Sequence, residues 1–168
     1  LLSRRSDPVV GALQLAIFDA WRPIRVQAFM VDHSIKEQCR SLGFDPSDPL
    51  MSASLQQVRS DVARFWAPPS QDPRTPPPHS TGGAVDLTLA DGSGEPLAMG
   101  GDIDAIGDQS FPDHHAEEAE SNPEGIAALW HQRRCLLNDV MTEAGFARHP
   151  NEWWHFSHGD QLWAWQRN

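Results

Sequence analysis

The stretch 79–89, His-Ser-Thr-Gly-Gly-Ala-Val-Asp-Leu-Thr-Leu, sets a histidine, three small residues and an aspartate at the head of an apolar run. Residues 83–89 read as a β-strand by their alternation. Alternate side chains on a strand share a face. Val85, Leu87 and Leu89 then form a core row, and Asp86 shares the opposite face with Ala84 and Thr88. Gly82, Gly83 and Ala84 are small enough for the preceding loop to fold back and bring His79 toward Asp86. An imidazole and a carboxylate in such surroundings are costly to bury without partners.

A second polar cluster, Glu152-Trp-Trp-His155, lies near the other end of the chain. Residues 152–156 read as a strand on which His155 shares a face with Trp153. Glu152 is three residues before His155, the wrong spacing for one strand face, so it is expected at the strand entry or at a bulge. Two imidazoles and one aspartate suit a zinc ion with a fourth position left to water, and Glu152 is then available as a general base. The expected ligands of one Zn2+ per chain are His79, Asp86 and His155. The remaining histidines, at 33, 114, 115, 131, 149 and 158, are expected on the surface or on helix faces.

Outward from these clusters, residues 13–18 are apolar and almost unbroken, which predicts a buried strand ending at Asp19. Trp21-Arg22-Pro23 turns the chain into a helix over 24–42, with Pro23 at its start and Gly43 as its stop. Arg22 lies within reach of Asp19. A second helix is predicted over 54–66 from the spacing of Leu55, Val58, Val62 and Phe65. The proline-rich segment 67–78 reads as an extended wall of the site. Asp91-Gly-Ser-Gly94 predicts a hairpin turn with a returning strand over 95–99. Residues 100–121, acidic and short of aliphatics, read as a long loop. Asn122-Pro123-Glu124 predicts the start of a helix reaching about residue 144. Two last strands are expected over 152–156 and 162–165. The order points to one α+β domain spanning 1–168, with helices packed on an antiparallel sheet and the zinc site in a cleft on that sheet.

Composition narrows the function. The 168 residues suit one domain, and 39% are apolar, enough for a core. A net charge of -10 offers no basic stripe for a nucleic acid and disfavours an anionic membrane surface. Cys39 and Cys135 fall in predicted helices without a C-x-x-C, and are read as reduced thiols of a reducing compartment. No apolar stretch is long enough to span a bilayer, and no signal peptide is visible. The chain opens on Leu1-Leu2-Ser3, which reads as a trimmed form. A cytoplasmic location is expected, or a periplasmic or exported one where a leader has been removed. The oligomeric state is not legible.

Four motifs resemble those of the D-alanyl-D-alanine dipeptidases, the VanX-like branch of a zinc peptidase clan that also holds D,D-carboxypeptidases. The family pattern S-x-H-x-x-G-x-A-x-D is similar to Pro77-Pro-His79-Ser-Thr-Gly82-Gly-Ala84-Val-Asp86. Its E-x-x-H is similar to Glu152-Trp-Trp-His155, and its D-x-Y-R-P to Asp19-Ala-Trp21-Arg22-Pro23. Its M-G-T-x-F-D is similar to Met99-Gly-Gly101-Asp-Ile103-Asp104. The four stand in the family's order along most of the chain. Pro77 replaces the motif serine, and Gly101 and Ile103 replace its Thr and Phe. The resemblance implies zinc at His79, Asp86 and His155, Glu152 as general base and acid, and Arg22 as a stabiliser of the transition state. It also implies that Asp104 meets the free amino group of a small dipeptide substrate. The expected activity is zinc-dependent hydrolysis of D-Ala-D-Ala or a similar dipeptide. The alternative is a D,D-carboxypeptidase or cell-wall peptide hydrolase with the same metal site. A non-catalytic domain with structural zinc fits less well, since such sites are rich in cysteine.

Overall fold

The computed structural model describes residues 2–167. Its main sheet is built around β4 (Ala84–Ala90), the strand predicted from the opening motif. On one side β4 pairs antiparallel with β3 (Gln14–Asp19), and on the other with β6 (His155–Ser157). The short β5 (Ala147–Arg148) pairs with β6, giving the order β3-β4-β6-β5. A two-residue hairpin, β1 (Ser6–Asp7) and β2 (Gly11–Ala12), precedes it.

Helix α5 (Ile126–Glu143) packs Leu137 and Met141 against Leu87 and Leu89 of β4 and Phe156 of β6. Leu89, Leu137 and Phe156 have no exposed surface, and each such side chain contributes roughly 1.5–3 kcal/mol by leaving water. A second cluster forms between α1 (Ile24–Ser41) and α2 (Ser52–Val62), where Cys39, Val58, Val62 and Trp66 are buried. Both cysteines are free thiols. The architecture is α+β with an antiparallel sheet, as the sequence predicts. No helix of the described residues is long and apolar enough to cross a membrane.

Several elements differ from the sequence reading. β3 is an edge strand, not a buried one, and Ile17 is 67% exposed. An apolar run does not distinguish edge from centre. Residues 95–99 form no strand; a single bridge joins Pro96 to Ala90, since proline has no N–H for a continuing ladder. Residues 162–165 belong to a helix, α6 (Gln161–Gln166), in place of the expected strand. The Asp160 carboxylate accepts the Trp163 amide at 2.9 Å, and this cap overrides the strand preference of the tryptophans. Asn122 closes a turn with Gly125 and does not cap α5, which begins three residues later than its proline signal suggested. The stretch 100–121 is not all loop: it contains a 3-10 turn at Asp108–Ser110 and α4 (Ala116–Ser121). The proline-rich segment ends in α3 (Pro78–Thr81), a single turn stopped by Gly82 at φ 76°.

Candidate metal centre

His79 sits in α3, and its Nδ1 donates to the Ala20 carbonyl at 3.0 Å. The Arg22 amide donates to the His79 carbonyl at 3.2 Å, and Ser80 Oγ to the Arg22 carbonyl at 2.8 Å. These bonds lock the α3 turn against the chain leaving β3. In β4, Asp86 stands opposite Asp19 of β3 and His155 of β6. The sheet register thus brings two of the predicted ligands together, and α3 delivers the third.

The three side chains converge. His79 Nε2 lies 3.1 Å from Asp86 Oδ2, His155 Nδ1 lies 3.0 Å from Asp86 Oδ1, and the two ring nitrogens are 3.1 Å apart. Each residue is 5% exposed or less. Among the described residues they form the one group of three or more histidines, cysteines or carboxylates close enough to share a metal ion. The donor set fits such an ion. A carbonyl only accepts, so His79 Nδ1 carries the hydrogen and Nε2 offers a lone pair. The Ser157 hydroxyl, 3.3 Å from His155 Nε2, can accept from it and free Nδ1 in the same way. Asp86 Oδ1 is buried without a well-formed hydrogen bond. Separations near 3 Å approach the edge of a tetrahedron with bonds of about 2.0–2.1 Å.

The electrostatics agree. Burial by itself raises the Asp86 carboxyl, but the adjoining imidazoles of His155 and His79 hold it well below its ordinary value. Burial lowers the His79 imidazole, and the Asp86 carboxylate more than reverses this. Glu152 lies three residues before β6, which begins at His155 and not at the expected 152, and its Oε2 is 3.5 Å from His155 Nδ1. Burial, then the charges of Asp86 and Asp104, raise its carboxyl well above the usual range, so it has a high affinity for a proton.

Arg22 is buried beside this group and held by several partners. Its Nε and Nη2 meet Asp19 Oδ2 at 2.7 and 2.6 Å, and Nη1 donates to Gln27 Oε1 at 2.8 Å. Nη2 also lies 3.6 Å from Asp86 Oδ2, and the guanidinium stacks 5.1 Å from the Trp66 ring centre. Asp104 lines the same pocket as Arg22, His79, Asp86, Glu152 and His155. Burial, with the Asp86 charge, pushes its carboxyl up to about 6.

Two neighbours escaped the sequence reading. His149, expected at the surface, lines the pocket with its ring 5.2 Å from that of His155. Burial and His155 depress its imidazole to about 3. Gln27 was hidden in α1, yet a signal existed: it is a polar residue on the stripe that carries Met30, Val31 and Cys39. His115 is also buried, not at the surface, and its Nε2 donates to the Gly100 carbonyl at 2.8 Å.

The sequence profile of the D-ala-D-ala dipeptidases matches residues 9–167. The chain is 46% identical to the D-alanyl-D-alanine dipeptidase of Synechocystis sp. over 158 residues, 92% of this chain and 63% of that protein. It is 32% identical to the Escherichia coli D-alanyl-D-alanine dipeptidase over 147 residues, 88% of this chain and 56% of that protein. With the enzyme of that name from Enterococcus faecium it shares 37% identity over 79 residues, 46% of this chain and 35% of that protein. The chain therefore spans 63% or less of the length of these relatives. A profile match over nearly the whole chain, on a fold that gathers His79, Asp86 and His155, shows that the chain belongs to the D-ala-D-ala dipeptidase family, a metal-dependent peptidase family.

Proposed function

We propose that the protein is a zinc-dependent dipeptidase that hydrolyses D-Ala-D-Ala or a similar small dipeptide. The observation that carries this reading is the buried triangle of His79, Asp86 and His155 with Glu152 Oε2 3.5 Å from His155. Two imidazoles and one carboxylate are a donor set suited to zinc. Zinc bound there supplies an acidified water and a Lewis acid for the scissile carbonyl.

The chain's own residues do the rest. Glu152 takes a proton from the attacking water and returns it to the leaving amine. Arg22, held by Asp19 and Gln27, presents a permanent cation to the oxyanion of the tetrahedral intermediate. Asp104 pairs with the substrate's ammonium group, which limits the substrate at its amino end. We assign the protein to the cytoplasm, since two free thiols fit a reducing compartment.

The test combines zinc quantification with an assay of D-Ala release. One zinc per chain and turnover of free D-Ala-D-Ala are expected. Failure of the zinc-loaded protein to release D-Ala overturns the reading. Preferential cleavage of a longer peptide ending in D-Ala-D-Ala assigns it to the carboxypeptidases instead.

A further inference from the structure

Arg134 lies midway along α5 and is 2% exposed. Its guanidinium donates to three main-chain carbonyls. Nε reaches Met99 at 2.7 Å, Nη2 reaches Gln109 at 2.9 Å, and Nη1 reaches Phe111 at 2.8 Å. These carbonyls bracket residues 100–108, the segment that carries Asp104. The same guanidinium lies over Trp153, 5.2 Å from the ring centre. The Trp153 amide donates to the Ser110 carbonyl at 3.0 Å, and Trp153 directly follows Glu152. One side chain therefore ties both ends of the Asp104 segment to the stretch that carries Glu152.

The segment needs such support. Asp104 is the one non-glycine of the described residues with a left-handed φ, at 65°. That conformation persists only where its surroundings enforce it. Gly101 lies against the clamp: a Cβ there would come within 2.8 Å of the Gln109 carbonyl and 3.1 Å of Arg134 Nη2. Ser110 Oγ donates to the Ala105 carbonyl at 2.5 Å and closes the turn behind Asp104. A cation buried without a carboxylate is unfavourable, and fixed carbonyl dipoles are what offset it here.

We propose that Arg134 is a positioning residue for the amino end of the substrate, setting where the Asp104 carboxylate stands relative to Glu152 and the metal ligands. The proposal rests on the reading of Asp104 as the ammonium receptor. Arg134 acts through the backbone of residues 99–111.

The experiment compares Arg134→Lys, Gly101→Ala and Asp104→Asn with the parent. Each is assayed on D-Ala-D-Ala and on its N-acetyl derivative, with metal content and hydrogen exchange measured beside. A lysine retains the charge but not the three-way fork. For Arg134→Lys, KM for D-Ala-D-Ala rises ~10-fold while kcat changes less than ~3-fold, since uniform binding is lost and the chemistry is not. Its preference for the free amine narrows, the amides of residues 100–108 exchange faster, and metal content is unchanged. Gly101→Ala disturbs the clamp with Arg134 intact and gives the same pattern, which covers a misfolded Arg134 variant. Parental KM, preference and exchange in both, with the preference lost in Asp104→Asn, overturn the role of Arg134 alone. A kcat loss as large as the KM rise makes Arg134 a general structural residue and also overturns it. A free-amine preference surviving Asp104→Asn removes the ammonium receptor, and the proposal with it.

Discussion

His79 and His155 stand 76 residues apart in sequence, yet Nε2 of the first lies 3.1 Å from Nδ1 of the second. Their rings meet nearly edge to face, at 84°. With His79 Nδ1 committed to the Ala20 carbonyl, its facing nitrogen is a lone pair aimed at the same point as the Asp86 carboxylate. Two electron-rich groups in a buried space are favourable only around a cation.

Metal removal should therefore loosen the protein. A metal that binds the folded chain at ~100 times its dissociation constant adds ~2.7 kcal/mol of stability. Chelation is expected to lower Tm, with recovery on adding zinc. His79→Ala and His155→Ala should bind less metal and show little response to chelator. Thermal denaturation with and without chelator, beside metal analysis, checks this. Full zinc content in both variants would remove the two histidines from the ligand set.

Glu152→Gln should keep its metal and lose D-Ala release by ~10³-fold, since an amide cannot accept the water's proton. It lies outside the three residues close enough to share a metal ion and is read as the base. Metal stoichiometry and steady-state turnover decide. Turnover within ten-fold of the parent, with metal retained, would exclude the role.

Arg22→Lys should lower kcat by ~10²-fold with a smaller rise in KM, because its charge is needed where the oxyanion develops. Lysine cannot reproduce the simultaneous contacts to Asp19 and Gln27. A change confined to KM would make Arg22 a substrate anchor.

The pair Asp7–Arg133 should make stability depend on acid. Arg133 Nε and Nη2 donate to the buried Asp7 carboxylate at 2.7 and 3.2 Å, and the Val9 and Val10 amides donate to it at 2.8 and 3.1 Å. Burial works to raise this carboxyl, and Arg133 with the two amides brings it below its ordinary 3.8. The unfolded chain then binds the proton more readily, so the pair's contribution is whole above about pH 4 and fades as pH falls through the folded value. Asp7→Asn should cost ~3 kcal/mol at neutral pH, the scale for breaking a buried pair. Denaturant melts across pH should show the gap from the parent closing in acid. A constant gap would mean that Asp7 does not titrate with folding.

Some of the fold was legible because the signal was local. Pro23 and Gly43 bracket α1 closely, and the alternation of 83–89 anticipates β4. Other parts misled for equally physical reasons. Leu162, Trp163 and Trp165 have strand-like side chains, but the Asp160 cap starts a helix. Arg133 and Arg134 look like solvent-facing helix residues and are buried, because their partners lie far off in sequence at Asp7, Met99, Gln109 and Phe111. His149 looked like a surface residue until β5 folded it against His155.

The chemistry of the centre was written in residue types and short spacings: an imidazole and a carboxylate seven positions apart, and a glutamate three before a second imidazole. Those are local facts, and side-chain chemistry follows from them directly. Their meeting was not local. Pairing of Asp86 with both His155 and Asp19 depends on a ladder register chosen when Leu87, Leu89 and Phe156 leave water together with α5. The left-handed Asp104 and the arginine that clamps its segment likewise exist only once distant carbonyls have been gathered around one guanidinium.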